Sequence, residues 1–307
     1  MTAVTNVKFD SRTEMYEGLV CGKAIRTPRA SYVEYKYRMA TGVKLSCEKI
    51  IALSGKVATS KKTTEFNINT RFSFVEKLVK MVAAGVQPSA VITGEGGLGK
   101  SFTVMKTLAD SGIRDVTELA DFQVGMALNS GKSYVTVKGY STAKGLYRTL
   151  FENRNSIIVF DDCDSVLKDP VALNLLKGAL DSYGKRIISW NADIRDEDLP
   201  RSFNFEGRVI FISNLSQEKI DQAIRSRSMM IDLTMTLDQK IDRMEHIAKS
   251  PEFLPEYAQS IKQDAIDLIR KVKDEAREIS LRTLISVAKI RASNTDWKDL
   301  ATYMLVA

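Results

Sequence analysis

The chain has 307 residues and a formal net charge of +7, and 44% of its residues are hydrophobic while 27% are charged. This balance is typical of a soluble globular protein of about two domains and excludes a disordered chain. One histidine and three widely spaced cysteines argue against a histidine-based triad, and exclude a multi-histidine metal site and a disulfide framework.

No apolar run approaches the roughly 20 residues that span a bilayer, and the first residues show no signal-peptide pattern. We therefore expect a cytoplasmic protein that makes no membrane contact.

The excess positive charge lies in the first quarter of the chain. Residues 1–80 contain 15 Lys and Arg and 7 Asp and Glu, which leaves 30 basic and 31 acidic residues for the rest. Tyr32, Tyr35 and Tyr37 interleave with Lys36 and Arg38 in this basic region. The pattern is typical of a surface that binds nucleic acid by stacking and phosphate contact. A solvated basic surface, with the tyrosines on a half-buried strand or helix face, is the alternative.

The hydrophobic pattern predicts four successive regions. Residues 1–71 form a basic N-terminal region without strong periodicity, in which 56–69 has the composition of a loop or linker. A helical period starts near Phe72 and uses Phe74, Leu78, Met81 and Val82. Short apolar strands then alternate with helices as far as residue 236, a helical lid covers 237–292, and a tail covers 293–307. The predicted strands are 90–93, 134–137, 157–160, 209–212 and 229–233, and the predicted helices between them are 101–110, 142–153, 171–183 and 217–225.

This alternation predicts an α/β fold in which a parallel sheet lies between two layers of helices. The stretch 186–190, followed by 195–204, lengthens the segment before the fourth strand and predicts an inserted hairpin or a second pore loop. Packing in the core accounts for Trp190 equally well.

A glycine-rich loop of the form G-x-x-x-x-G-K-S joins the first predicted strand of this region to the helix after it. Glycines let backbone N–H groups surround phosphate oxygens, and the following helix presents its positive N-terminus. Lys100 supplies a charge for the β- and γ-phosphates, and the Ser101 hydroxyl is a ligand for Mg²⁺. The predicted nucleotide-binding residues are Gly94, Glu95, Gly96, Gly97, Leu98, Gly99, Lys100, Ser101 and Phe102.

An acidic pair follows the apolar strand 157–160. Carboxylates at the carboxyl end of such a strand lie beside the phosphate loop in this architecture. Asp161 is predicted to reach the Mg²⁺ together with Ser101, and Asp162 to polarise the attacking water. An apolar strand that merely enters a polar loop would give the same pattern.

The order of these motifs resembles the AAA+ ATPases. In that family the acidic strand usually ends in Asp-Glu, whereas this chain has the shorter Asp162, a departure that concerns the rate rather than ATP binding. Asn214, at the end of strand 209–212, resembles the sensor 1 residue that orients the water, although an asparagine often simply terminates a strand. Arg282, in the segment 279–284, resembles the sensor 2 arginine of the lid.

The segment 223–228 resembles the Ser-Arg-Cys segment of clamp-loader subunits, with Ser228 in place of the cysteine. The resemblance implies that Arg227 is an arginine finger acting on the neighbouring subunit, with Arg225 as the next candidate. It therefore implies a ring or spiral homo-oligomer, with a hexamer as the expected form. Two surface arginines at the end of a helix are the alternative.

The resemblance also implies ATP and Mg²⁺ as cofactors. Lys138 and Tyr140 lie where many AAA+ rings carry a pore loop, and they are predicted to grip a substrate such as nucleic acid, with an ordinary turn as the alternative. We expect a DNA-directed replication or recombination motor or a loader. The alternatives are a protein remodeller and a nucleotide-gated scaffold with little turnover. The core resembles small phage-encoded AAA+ proteins, which implies the host cytoplasm as location.

Overall fold

The structure is a computed structural model that describes residues 5–10, 15–20, 23–42, 66–120, 132–181, 184–191 and 199–307. The chain divides into two compact units, Met1–Phe66 and Asn67–Ala307. The division precedes the predicted boundary at 71/72, because a helix already begins at Ile68. Asn67 caps this helix by accepting a hydrogen bond from the Thr70 N–H at 2.9 Å. The predicted linker 56–69 lies outside the described residues as far as residue 65.

The first unit contains an antiparallel sheet, which the sequence analysis missed. Its strands are β1 (Thr5–Asp10), β2 (Met15–Val20) and β3 (Lys23–Thr27), and they pair in that order before helix α1 (Ala30–Thr41). Among the described residues, a cluster that includes Val7, Tyr16, Val20 and Val33 holds the helix against the sheet. Along β2 only Tyr16 and Val20 are buried, so the strand lacks the strict alternation that identifies a strand in a sequence.

The second unit is built on a six-stranded parallel sheet, as predicted. Its strands are β4 (Ser89–Thr93), β5 (Arg114–Asp115), β6 (Ser133–Lys138), β7 (Ile157–Asp161), β10 (Arg208–Ser213) and β11 (Met229–Asp232). They lie in the order β11-β4-β10-β7-β6-β5, and every neighbouring pair is parallel. Only the two-residue strand β5 was not predicted.

Helices cover both faces of this sheet, because alternate strand residues point to opposite sides. Ala90 and Ile92 of β4 belong to one apolar cluster, whereas Val91 belongs to the other. The first face carries α2 (Ile68–Ala83) and α3 (Lys100–Asp110), and the second carries α5 (Ala143–Glu152), α6 (Pro170–Ala179) and α7 (Gln222–Arg227). A short helix, α4 (Thr117–Ala120), lies between β5 and β6.

Helix α2 buries two of the four residues predicted for its apolar face, Leu78 and Val82. Its buried residues are Ile68, Phe72, Val75, Leu78, Val79 and Val82. Phe74 and Met81, which were predicted to share that face, are only partly buried. The buried face starts earlier in the chain than predicted, at Ile68, and overlaps the predicted face only in part.

Four helices form the C-terminal part: α8 (Leu237–Ala248), α9 (Gln259–Val272), α10 (Leu281–Ser293) and α11 (Trp297–Val306). Helix α11 occupies most of the segment 293–307 that was treated as a tail. It packs as part of the helical domain, because Trp297, Ala301 and Leu305 are buried in the same cluster as α9 and α10. No helix in the described ranges is long and apolar enough to cross a membrane.

The insertion before β10 contains a short hairpin, in which β8 (Ile187–Ser189) pairs antiparallel with β9 (Ser202–Asn204). Trp190 follows β8 and packs beside Tyr147, with ring centroids 5.6 Å apart. Both interpretations of this region therefore apply: the segment is an inserted hairpin, and its tryptophan is anchored in the core.

The packing of α11 can be tested with two substitutions on that helix. Trp297→Ala should reduce the free energy of unfolding by about 3–5 kcal/mol, because it removes a large buried ring. Tyr303→Ala is the control, since Tyr303 is 71% exposed and its loss should change stability by less than about 0.5 kcal/mol. Denaturant unfolding of the intact chain measures both, and equal effects would contradict the packing of α11.

Candidate functional site

The carboxyl ends of three central strands meet at one edge of the sheet. Ser213 of β10 pairs with Thr93 of β4, and Ile212 pairs with Asp161 of β7. The residues that follow these strands are therefore neighbours: the glycine-rich loop 94–99 after β4, Asp162 after β7 and Asn214 after β10. The register brings together residues that are more than one hundred positions apart in the chain.

The glycine-rich loop needs its first glycine for two reasons. Gly94 has a φ of 134°, which side chains rarely adopt, and a Cβ at this position would lie 2.8 Å from the backbone carbon of Leu233. The loop therefore passes close to the backbone just after β11, and only glycine fits this position.

Lys100 is held inside the loop that precedes it. The side chain is 5% exposed, and its ammonium donates hydrogen bonds to the carbonyls of Gly94 and Glu95 at 2.7 Å and to the Asn214 Oδ1 at 3.0 Å. Burial lowers the pKa of this ammonium, and the charges of neighbouring carboxylates oppose the effect. These acceptors fix the lysine at the mouth of the loop.

Asp161 is the buried acid of the site. One carboxylate oxygen accepts a hydrogen bond from the Ser101 hydroxyl at 2.7 Å, and the other lies 3.2 Å from the Lys138 ammonium. Ser101 and Asp161 thus converge as an oxygen pair, which is the ligand chemistry that Mg²⁺ requires. Among the described residues there is no group of three or more His, Cys, Asp or Glu that would hold a metal without further ligands.

Asp162 is exposed and has a φ of 55°, in the left-handed region that non-glycine residues usually avoid. Asn214 donates from its Nδ2 to the Asp162 carboxylate at 2.7 Å. The same amide accepts from Lys100 through its oxygen, so it joins the acid to the ammonium. Aspartate tolerates this region better than most residues, and residues held in it cluster at functional sites.

Two contacts at this edge were not predicted. Lys138, considered in the sequence as a contact for substrate, forms an ion pair with Asp161 across the adjacent strands β6 and β7. Ser213 donates to Asp164 at 2.6 Å and so ties the end of β10 to the loop after β7. Tyr140 is 82% exposed just beyond β6. For the ion pair between Lys138 and Asp161, the only signal in the sequence is the position of Lys138 at the end of a predicted strand.

The helical domain touches the glycine-rich loop directly. The Leu281 N–H, at the start of α10, donates to the Gly97 carbonyl at 2.7 Å. Lys240 of α8 forms an ion pair with Glu95 in the loop. Helix α10 begins where the sequence predicted it, and Arg282 lies exposed in its first turn.

A cavity of about 550 Å³ opens beside the end of the loop. It starts at Gly99 and Phe102 and continues between α2, α3, α8 and α10. His246, the single histidine of the sequence, lines it, and burial lowers the pKa of this imidazole. Arg243, 7% exposed and stacked on Phe72 with 3.6 Å to the ring centre, lines it as well. This volume is within the range of small-molecule sites.

The two candidate finger arginines lie away from this site. The Arg227 carbonyl accepts a hydrogen bond from Ser89, the first residue of β4, so its backbone lies at the opposite edge of the sheet from Gly94. Arg227 is half-buried and donates to the Ala223 carbonyl in its own helix at 3.2 Å. Arg225 is exposed.

Comparison with known proteins gives one informative sequence match. The chain is 27% identical over 266 residues to an uncharacterized 36.7 kDa protein from the nrdC–mobD intergenic region of Enterobacteria phage T4. The match covers 80% of this chain and 77% of that protein. No protein-family model matches the chain.

Among solved structures, the chain is similar to C. elegans PCH-2, with 13% identity and a TM-score of 0.41 over 77% of this chain and 66% of that one. That score is too low to assign a function.

The close contact between the glycine-rich loop and α10 can be tested by a substitution at Gly97. Gly97 has a φ of 77°, and a Cβ there would lie 2.8 Å from the Cβ of Ser280. Gly97→Ala should therefore lower the free energy of unfolding by about 1–2 kcal/mol for the backbone, plus about 1–3 kcal/mol for the collision. Denaturant unfolding measures the loss.

Gly112→Ala is the matched control, because Gly112 has a φ of 73° and a Cβ added there would meet nothing within 4 Å. It should show the backbone cost alone. Equal losses in the two variants would contradict a tight contact between the loop and α10.

Proposed function

We propose that the protein is a Mg²⁺-dependent ATPase of the AAA+ type that works as an oligomer on nucleic acid. One observation carries the proposal: Lys100, Asp161, Asp162 and Asn214 lie together at the mouth of a glycine-rich loop, where hydrogen bonds link Lys100 to Asp162 through Asn214 and Ser101 to Asp161. A phosphate-binding loop alone has many uses. A loop with two acids and an amide beside it is suited to phosphoryl transfer to water.

Lys100 and the loop would bind the phosphates of ATP. The ammonium exchanges its bonds to the Gly94 and Glu95 carbonyls for bonds to phosphate oxygens, and the N–H groups at the start of α3 bind the same anion. The cavity that adjoins Gly99 and Phe102 would take the base and ribose, because it begins where the phosphates end.

Ser101 and Asp161 would hold Mg²⁺ between them. Mg²⁺ is commonly bound by one or two protein oxygens together with substrate phosphates, which fits a site with a single hydroxyl–carboxylate pair. The metal would supply positive charge for the oxygens of the transferred phosphoryl group.

Asp162 would accept the proton of the attacking water. The hydrogen bond from Asn214 fixes one carboxylate oxygen of Asp162, so the other is left to face the substrate. Asn214 also contacts Lys100 and would thereby align the water with the γ-phosphate. Arg282, in the first turn of α10, would contact the phosphates from the lid.

The position of Arg227 supports the proposed oligomer. Its backbone lies at the edge of the sheet opposite the loop, so the residue is suited to act on the ATP of a neighbouring subunit. A head-to-tail arrangement of this kind closes into a ring, such as a hexamer, or continues as a spiral.

Nucleic acid is the proposed client, with a DNA motor or loader as the first choice. The basic first unit and the exposed Tyr140 support this choice. The relative in phage T4 supports action in the host cytoplasm. A protein remodeller would instead be stimulated by a client protein.

A nucleotide-gated scaffold with little turnover is the second candidate. It is favoured by the short acid at Asp162 and by the Lys138 ammonium, which neutralises Asp161 in this state. Both features would slow hydrolysis without preventing ATP from binding.

Two substitutions separate binding from hydrolysis. Lys100→Ala should abolish or greatly weaken ATP binding, because the loop loses its cation, whereas Lys289→Ala on the exposed face of α10 should change nothing. Asp162→Asn should keep ATP binding and lose turnover, because an amide does not accept the proton. Titration with a fluorescent ATP analogue and phosphate release measure the two steps.

Asp162→Glu restores the acid that the AAA+ resemblance leads one to expect. Faster turnover in this variant, with slow turnover in the native chain, would favour the scaffold. Equal turnover of Asp162→Asn and the native protein would refute the catalytic role of Asp162.

The finger is tested by mixing inactive subunits. Arg227→Ala should bind ATP but hydrolyse it more slowly by a factor on the order of 10³. Lys100→Ala subunits keep their own Arg227, so they should restore some turnover when mixed with Arg227→Ala subunits. Arg225→Ala is the control on the same helix and should stay active.

The mixing is measured at concentrations where light scattering shows mixed oligomers. Absence of rescue there would exclude action in trans by Arg227, and inactivity of Arg225→Ala would move the role to Arg225.

A further inference from the structure

Helix α1 presents an aromatic stripe on the face opposite its buried side. Val33 and the partly buried Tyr37 face the sheet of the first unit. Tyr32, Tyr35 and Met39 follow the helical spacing on the other side, and they are 42%, 46% and 67% exposed. We call these three residues, with Lys36, the α1 stripe.

The two rings of the α1 stripe are close but not stacked on each other. Their centroids are 6.3 Å apart and their planes differ by 33°. The Lys36 ammonium lies 5.4 Å from the centre of the Tyr32 ring. The stripe thus combines flat aromatic surface with a positive charge at its edge.

The first unit has twice as many basic as acidic residues. Residues 1–66 contain 12 Lys and Arg and 6 Asp and Glu, so this unit carries +6 of the total of +7. Arg29 and Arg38 are exposed at the two ends of α1, next to the stripe. An apolar protein partner would gain nothing from this charge, whereas a polyanion would be attracted by it.

We propose that the α1 stripe binds single-stranded nucleic acid, with bases on Tyr32 and Tyr35 and backbone phosphates on Lys36 and its basic neighbours. Aromatic rings that alternate with cations are the chemistry of sequence-tolerant single-strand binding. In a duplex the base faces are covered by their neighbours, so the rings would find nothing to stack on. The inference rests on the proposed function only in taking nucleic acid as the client.

The test is binding of labelled oligonucleotides to the intact chain, followed by fluorescence anisotropy at low salt without nucleotide. Probes are oligothymidylate and oligouridylate of about 20 residues, and a duplex of equal length. Tyr32→Ala with Tyr35→Ala should weaken single-strand binding by about tenfold or more. Tyr32→Phe with Tyr35→Phe keeps the rings and should bind as the native chain does.

Two control variants and one charge variant complete the design. Tyr303→Ala removes an exposed tyrosine from α11 and should have no effect on binding. Lys36→Gln should lower the slope of log affinity against log salt by about 0.7, the value for one phosphate contact on a single strand. Lys298→Gln, an exposed lysine on α11, should leave that slope unchanged.

Tighter binding of either single strand than of the duplex supports the proposal for the α1 stripe. Whether oligothymidylate or oligouridylate binds more tightly then tells whether the ligand is DNA or RNA. Preference for the duplex, unchanged affinity of the double alanine variant, or no binding at all overturns the proposal; the last result would favour a protein client. The binding assay contains no ATP, so its result does not depend on hydrolysis. A protein that binds single strands but does not hydrolyse ATP would refute the proposed ATPase and leave the proposal for the α1 stripe standing.

Discussion

The candidate site depends on the parallel pairing of β4, β10 and β7. This pairing fixes Thr93 beside Ser213 and Asp161 beside Ile212, so the residues that follow the three strands meet. A shift of one residue in either pairing would turn every second side chain to the other face of the sheet. The two apolar clusters on the opposite faces hold the register, since each takes alternate residues of the same strands.

A second set of contacts ties the helical domain to the same edge. Arg71 of α2 donates to the carbonyls of Asp232 and Thr234 at 3.1 and 2.9 Å, and to the side chain of Gln239 at 3.1 Å. It therefore bridges the segment that joins the sheet to α8. The glycine-rich loop itself contacts the helical domain directly at two points, since α10 rests on Gly97 and Lys240 of α8 pairs with Glu95.

Local pattern was sufficient for five of the six strands of the parallel sheet, for the main helices between them and for the polar residues at the strand ends, but not for β5, α4 or α11. Those predictions rest on short-range regularities: apolar runs, a glycine-rich turn and acids after a strand. The ion pair of Lys138 with Asp161 could not be predicted, since it depends on which strands are neighbours. The cavity was missed for the same reason, because Phe102, His246 and Leu281 come from three separate helices or their ends. The sheet of the first unit was missed because β2 and β3 show no regular alternation of buried and exposed residues.

The position of Lys138 links two roles that the sequence suggested separately. Its ammonium neutralises Asp161, and a metal bound to Asp161 and Ser101 would place a second cation at the same carboxylate. Two positive charges so close repel each other strongly in a partly buried site. Lys138 is 68% exposed, so its side chain has room to turn towards solvent, next to Tyr140. Under the proposed function, binding of Mg²⁺ and nucleotide at Asp161 would thus release the Lys138 ammonium. The ammonium could then bind a phosphate of the client next to Tyr140.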